Sequence, residues 1–167
     1  DELLDTARLP TLQKWFEFAT EAGLESGVFS VARAEVALRY GRHVEAMAHA
    51  EAAAGKDSEL AFRALYVAGR AAHLASREED ALELYRRAEA AASTEGQRRD
   101  ARWGQLMCAV ELELPDAGES LRALNAGVHL GDVREVVRSA TCGLSYQTKH
   151  GALDLTDADA ASGLLDG

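Results

Sequence analysis

A chain of 167 residues is long enough for one domain with a core of its own and short for two. Its hydrophobic share of 47% and charged share of 28% exclude wholesale disorder. With 18 basic residues against 28 acidic ones, the net charge of −10 disfavours nucleic acid and anionic membrane surface as default partners.

Two prolines and abundant alanine favour helix, and no segment alternates with period two, so no sheet is predicted. The first predicted helix, 11–22, carries Leu12-x3-Phe16-x2-Ala19, the i, i+4, i+7 stripe of one helix face. Phe16 is expected in the core; Trp15 and Phe18 do not share its face. A helix over 27–40 follows, with Ala34 at its crowded middle, and Gly41 breaks it. The next helix repeats the stripe as Ala46-x3-Ala50-x2-Ala53 and carries His43 and His49 on its surface. Asp57 or Ser58 is placed to cap a helix over 58–75. Gly69 in its middle costs about 1 kcal/mol relative to alanine, a cost that suits a partner helix packed directly on the backbone. Ser76-x-x-Glu79 has capping-box spacing before a helix with Ala81-x3-Tyr85-x2-Ala88. Thr94-x-x-Gln97 has the same spacing before a helix over 97–113 centred on Gly104. Pro115 breaks the chain ahead of Ala117-x3-Leu121-x2-Leu124. Asp132 with Glu135 starts a helix to about Lys149, and a short terminal helix is predicted from Asp157 to Leu165.

The four stripes begin at positions 12, 46, 81 and 117, steps of 34, 35 and 36 residues. One helix therefore returns about every 35 residues on the same phase, and each has another helix before it. Connections this short make neighbours antiparallel. The chain is thus expected to be a single all-α domain over 1–167. Its helix pairs fall at about 27–54, 58–92, 97–128 and 132–165, preceded by a second-helix remnant at 11–22.

This unit resembles the tetratricopeptide repeat. The best copy, 62–95, places Leu65, Ala68, Gly69 and Ala72 on the first helix and Ala81, Tyr85 and Ala88 on the second, matching W-x2-L-G-x2-Y…A-x3-F-x2-A in spacing. In the copy at 27–60, Ser30 and Arg33 replace large apolar residues; the third copy has one extra residue between Gly104 and Ala117. Ser58 and Ser93 stand where the family often closes its repeat with proline. The resemblance covers roughly 11–130 and implies an α-solenoid, a right-handed superhelix of antiparallel pairs. More softly, the stretches Leu9-Pro10-Thr11-Leu12-Gln13-Lys14-Trp15 and Gly41-Arg42-His43-Val44-Glu45-Ala46 look like the repeat arm of bacterial STAND-type ATPase regulators, including MalT-like proteins of the LuxR class. That resemblance implies a module that senses an inducer or partner for a transcriptional regulator. No GxxxxGK[ST] motif is present, so an attached ATPase or effector would lie outside this sequence. A start at Asp1 without methionine and an end within an apolar pattern fit a piece of a longer protein.

The chain carries no catalytic motif, and neither a cofactor nor a metal is predicted. His43 and His49 do not have the H-E-x-x-H spacing, and Asp154, Asp157 and Asp159 lack the glycine and closing glutamate of a calcium loop. His129 and His150 lie near predicted turns and read as solvated. Cys108 and Cys142, without CxxC spacing, read as small buried hydrophobes in a reducing compartment. No apolar run reaches the ~20 residues of a membrane span, no signal peptide is visible, and a cytoplasmic location is expected.

In the family's tandem repeats the first helix of each pair lines the concave face. Off the packing stripe, that position is held by Arg63, Tyr66, Arg70 and His73, by Arg98, Arg99 and Arg102 beside Trp103, and by Arg39. Arginine forks suit carboxylate or phosphate, and aromatic walls supply contact area. The groove is therefore a candidate site for a protein or peptide partner, an acidic one in particular, or for a nucleotide or other small anionic effector. The competing reading is a solvated face neutralised by Glu35, Glu59 and Asp100. A plain scaffold without ligand sensing is the alternative function; nucleic-acid binding is disfavoured by the net charge.

Overall fold

Alanine builds the core of the N-terminal half. Ala34, Ala46, Ala50, Ala53, Ala64 and Ala68 are completely buried, and side chains this small let helix backbones approach closely. The computed structural model describes residues 9–24, 26–56, 58–129 and 131–150. They form eight helices and no strand, so the chain is all-α over the described residues. The contacts divide it into two compact units, residues 1–101 and 102–167.

The first unit holds α1 (Leu9–Glu21), α2 (Gly27–Arg39), α3 (His43–Ala54), α4 (Ala61–Leu74) and α5 (Glu78–Ala90). The next helix, α6 (Glu95–Glu111), begins in the first unit and continues into the second. The second unit adds α7 (Ala117–Asn125) and α8 (Val133–His150). Within the first unit α2 packs on α3 and also on α4, α3 packs on α4, and α4 packs on α5. The recurring stripes face inward. Leu12, Phe16, Ala19 and their counterparts on α3, α5 and α7 are buried, with only Leu121 partly exposed.

The turns between paired helices recur with the stripes. After α2 the chain passes through Gly41 at φ +71°; the Arg42 N–H donates to the Ala37 carbonyl (2.9 Å) and the Gly41 N–H to that of Leu38 (3.1 Å). This is a Schellman closure, which needs one left-handed residue. Ser76 closes α4 in the same way at φ +55°, with Arg77 N–H on Ala72 O and its own N–H on His73 O, both at 3.0 Å. In the second unit Glu113 does so at φ +54°. The capping box expected at Ser76 is therefore absent. Ser76 terminates α4, and α5 starts from Arg77 with no side-chain cap, its first turn instead carrying Glu78, Glu79 and Asp80 toward the positive helix end. Ser58 does not cap α4 either. The cap position is Leu60, and Asp57 lies outside the described residues. The Thr94 box does form: Gln97 N–H donates to Thr94 Oγ1 (3.2 Å), and Gln97 Oε1 accepts from the N–H of Ser93 (2.8 Å) and of Thr94 (3.4 Å). Asp132 Oδ1 likewise accepts from the N–H groups of Arg134 and Glu135 at the start of α8.

A left-handed conformation costs an L residue roughly 1–2 kcal/mol, against a glycine entropy cost of about 0.5–1 kcal/mol. Ser76→Gly is therefore expected to stabilise the first unit by up to about 1 kcal/mol, seen as a raised denaturation midpoint; Ser76→Val should lower it.

Gly69 meets the partner helix that its cost implied. A Cβ built there would lie 3.0 Å from two ring carbons of Tyr85 on α5. Tyr85 in turn meets Tyr66 edge-on at 5.7 Å, and Tyr66 stacks on Phe62 at the same separation. In the second unit the core gathers Trp103, Leu106, Val110, Ala117, Leu124 and Cys142, with Tyr146 of α8 against it. The predicted terminal helix at 157–165 lies outside the described residues.

Candidate binding face

On α4, Arg63, Tyr66 and Arg70 stand at i, i+3 and i+7 and so share one side of the helix. Arg63 and Arg70 are exposed; Tyr66 is half-buried by its two ring partners. Glu35 of α2 joins this face. Its Oε2 lies 3.3 Å from Arg39 Nη1 and its Oε1 lies 3.5 Å from Arg63 Nη2, so one largely buried carboxylate serves two guanidinium groups from two helices. Glu35 thus neutralises charge at Arg39 and Arg63. Arg70 is different: it has no ionic or hydrogen-bonded partner among the described residues. An unpaired guanidinium beside a fixed aromatic edge is free to form a bidentate contact with a carboxylate or phosphate.

His73 ends the same side of α4 and is committed elsewhere. Its Nδ1 lies 2.7 Å from Glu78 Oε2 across the Ser76 turn. Arg98 braces the loop before α6, with Nε 2.8 Å from Glu95 Oε2 and Nη1 donating to the Ala92 carbonyl at 3.3 Å. Arg99 is half-buried in the first unit, whereas Arg102 is exposed and belongs to the second. Trp103 is not a groove wall. It is 3% exposed, and with Leu106 and Val110 it forms the i, i+3, i+7 stripe by which α6 enters the core of the second unit. The arginines around it are off that stripe, which is why their neighbourhood in sequence suggested a shared surface.

Arg33, which stands where the repeat pattern has a large apolar residue, has a defined task. From α2 its guanidinium donates to the Phe16 carbonyl (2.9 Å) and to Thr20 Oγ1, and it lies 5.7 Å from the Phe16 ring centre. It thereby fastens α1. Beside it a cleft of about 210 Å³ opens between α1, α2 and α3, lined by Glu17, Arg42, Glu45 and His49 among others. A second recess, of about 330 Å³, lies between α3 and α5 over Val44, Met47 and Leu84. Arg42–Glu45 (3.0 Å) and Arg77–Asp80 (2.7 Å) are i, i+3 pairs repeated 35 residues apart. Being exposed, they contribute little to stability.

Neither cysteine forms a disulfide, and both are buried in the second unit. Burial pushes the Cys142 thiol up to about 11, against a smaller opposing pull from the Arg138 charge. Its pKa is raised above that of an exposed thiol near 9, so its contribution to stability is complete below pH 9 and is lost as pH rises through 9 to 11. Relative to a Cys142→Ala variant, the unfolding free energy of the natural chain should fall by about 2–3 kcal/mol across that window. Equal slopes for the two proteins would refute the shift.

No helix among the described residues is long and apolar enough to cross a membrane. No family model matches the chain, and neither a curated protein nor a solved structure matches it.

Proposed function

We propose that this chain is a tetratricopeptide-like α-solenoid that binds an acidic peptide segment of a partner protein along the exposed side of α4. The solenoid reading is supported by the 35-residue return of both the buried stripe and the left-handed turn, and by α2 packing on α4 as well as on its own partner α3. The binding reading is carried by one observation: Arg70 is exposed and unpaired among the described residues, one turn from the half-buried Tyr66. A carboxylate of the peptide would take the Arg70 fork, and a neighbouring side chain would lie on the Tyr66 edge. In this reading the module acts as the sensing arm of a larger bacterial regulator, cytoplasmic and of the STAND, MalT-like kind, and binding shifts the balance between two states of an attached module. It requires no bond-making residue here and no cofactor.

The test is a fluorescence-anisotropy screen of labelled peptides rich in aspartate and glutamate, against neutral peptides of matched length. The expected result is saturable binding of an acidic peptide that weakens about 10-fold or more in Arg70→Ala, since charge-assisted hydrogen bonds contribute about 1.5–3 kcal/mol. Arg77→Ala, whose partner Asp80 is exposed, should leave it unchanged. Binding that is indifferent to Arg70, or the absence of any acidic binder, would overturn the assignment.

A further inference from the structure

Glu17 and Arg33 line the cleft between α1, α2 and α3 without pairing with each other. Glu17 and Thr20 share one side of α1, and Glu45 and His49 line the same cleft from α3. The buried side chains of Phe16 and Val36 give the cleft an apolar floor.

The formal charges of the lining balance. Two carboxylates, Glu17 and Glu45, stand against two guanidinium groups, Arg33 and Arg42. Half of these charges are already used. Glu45 Oε2 lies 3.0 Å from Arg42 Nη1, and its Oε1 lies 3.7 Å from His49 Nε2. The other half are not. Arg33 gives only Nη2 to α1, so its Nε and Nη1 make no hydrogen bond among the described residues. Glu17 has neither an ionic nor a hydrogen-bonded partner among them.

What remains is one open carboxylate and one half-open guanidinium group, on two helices, beside an apolar floor. A simple cation answers only the first and a simple anion only the second. The donor atoms of Glu17, Glu45 and His49 do not gather closely enough for a metal ion to take all three. A ligand with both charges answers both. The volume of about 210 Å³ lies below the roughly 300–1,000 Å³ of sites for drug-sized molecules, so that ligand is small.

We propose that this cleft binds a free α-amino acid with an apolar side chain. Its ammonium group lies on Glu17, its carboxylate takes the open nitrogens of Arg33, and its side chain covers Phe16 and Val36. The inference stands on α1, α2 and α3 and does not rest on the arginine face of α4.

Proton–nitrogen correlation NMR on the full chain tests this, with the standard L-amino acids added one at a time. At least one apolar amino acid should give saturable shifts centred on the amides that line the cleft. In Glu17→Gln its dissociation constant should rise about 10-fold or more, because a charge-assisted hydrogen bond is lost. Glu17 is exposed and unpartnered among the described residues, so this variant should keep the helical circular dichroism of the natural chain. Glu21→Gln makes the same change on the same helix outside the cleft and should leave the affinity unchanged. The binder's des-amino and decarboxylated analogues keep one charge each and should bind about 10-fold more weakly or worse. The des-amino analogue should also not distinguish Glu17→Gln from the natural chain, since it has no ammonium group to lose. Overturning results are the absence of saturable shifts with every amino acid, shifts confined to residues outside the cleft, an affinity indifferent to Glu17→Gln, or a singly charged analogue that binds as tightly.

Discussion

Trp103→Ala is expected to destabilise the second unit by about 3–5 kcal/mol, the range for removing a large aromatic from a core. Trp103 is almost wholly buried among Leu106, Val110, Leu124 and Cys142, and nothing nearby is large enough to collapse into the space an indole leaves. That loss is a large part of the 5–15 kcal/mol that holds a typical domain. Urea denaturation of the full chain, followed by far-ultraviolet circular dichroism, measures it. Fluorescence separates the core role from a groove role. In a Trp15→Phe background the remaining tryptophan should emit blue-shifted and resist iodide quenching. In a Trp103→Phe background Trp15, more than half exposed, should be quenched readily. A Trp103→Ala chain with an unchanged midpoint would return this residue to the surface.

Gly69→Val is expected to cost the first unit about 2–3 kcal/mol, although valine has a better helix propensity than glycine. The Cβ alone would stand 3.0 Å from Tyr85 ring carbons, and a branched side chain adds two methyls in the same direction. Tyr85 cannot step aside cheaply, because it is buried and its ring also meets Tyr66. The double-mutant cycle makes this specific. In a Tyr85→Ala background, itself destabilised, Gly69→Val should become neutral or favourable, since the obstacle has gone and only the gain in helix propensity is left. A penalty of the same size in both backgrounds would mean that the ring contact is not its cause.

These two residues mark how far sequence reading reached. The stripes at 12, 46, 81 and 117 were legible because a helix face has a fixed period, and burying it needs nothing beyond a neighbour. The packing role of Gly69 was legible for the same reason: a costly glycine at a fixed place in a repeat asks for a close partner. The place of Trp103 is not legible from its arginine neighbours, because each residue turns about 100° around the helix and it is the Leu106–Val110 stripe that sets which side faces inward. Ser76 departs from its motif because S-x-x-E describes a helix start, whereas this serine closes the preceding helix. Two local motifs competed for one residue, and the Schellman closure prevailed.

The pairing of Arg63 with Glu35 joins residues 28 positions apart on two helices, and the lashing of α1 by Arg33 joins residues 17 apart. Neither has a local signature. Arg70 differs from Arg63 only in lacking such a carboxylate among the described residues, a difference that sequence spacing on one helix does not contain. Helix type, order, phase and most of the core followed from short-range periodicity, because a helix satisfies its own backbone and exposes its pattern every 3.6 residues. Which charges are neutralised, which arginine stays open, which side of α6 turns inward and where the contacts part into two units were decided by packing between helices. Those depend on distances between residues far apart in the chain, and only the folded arrangement sets them.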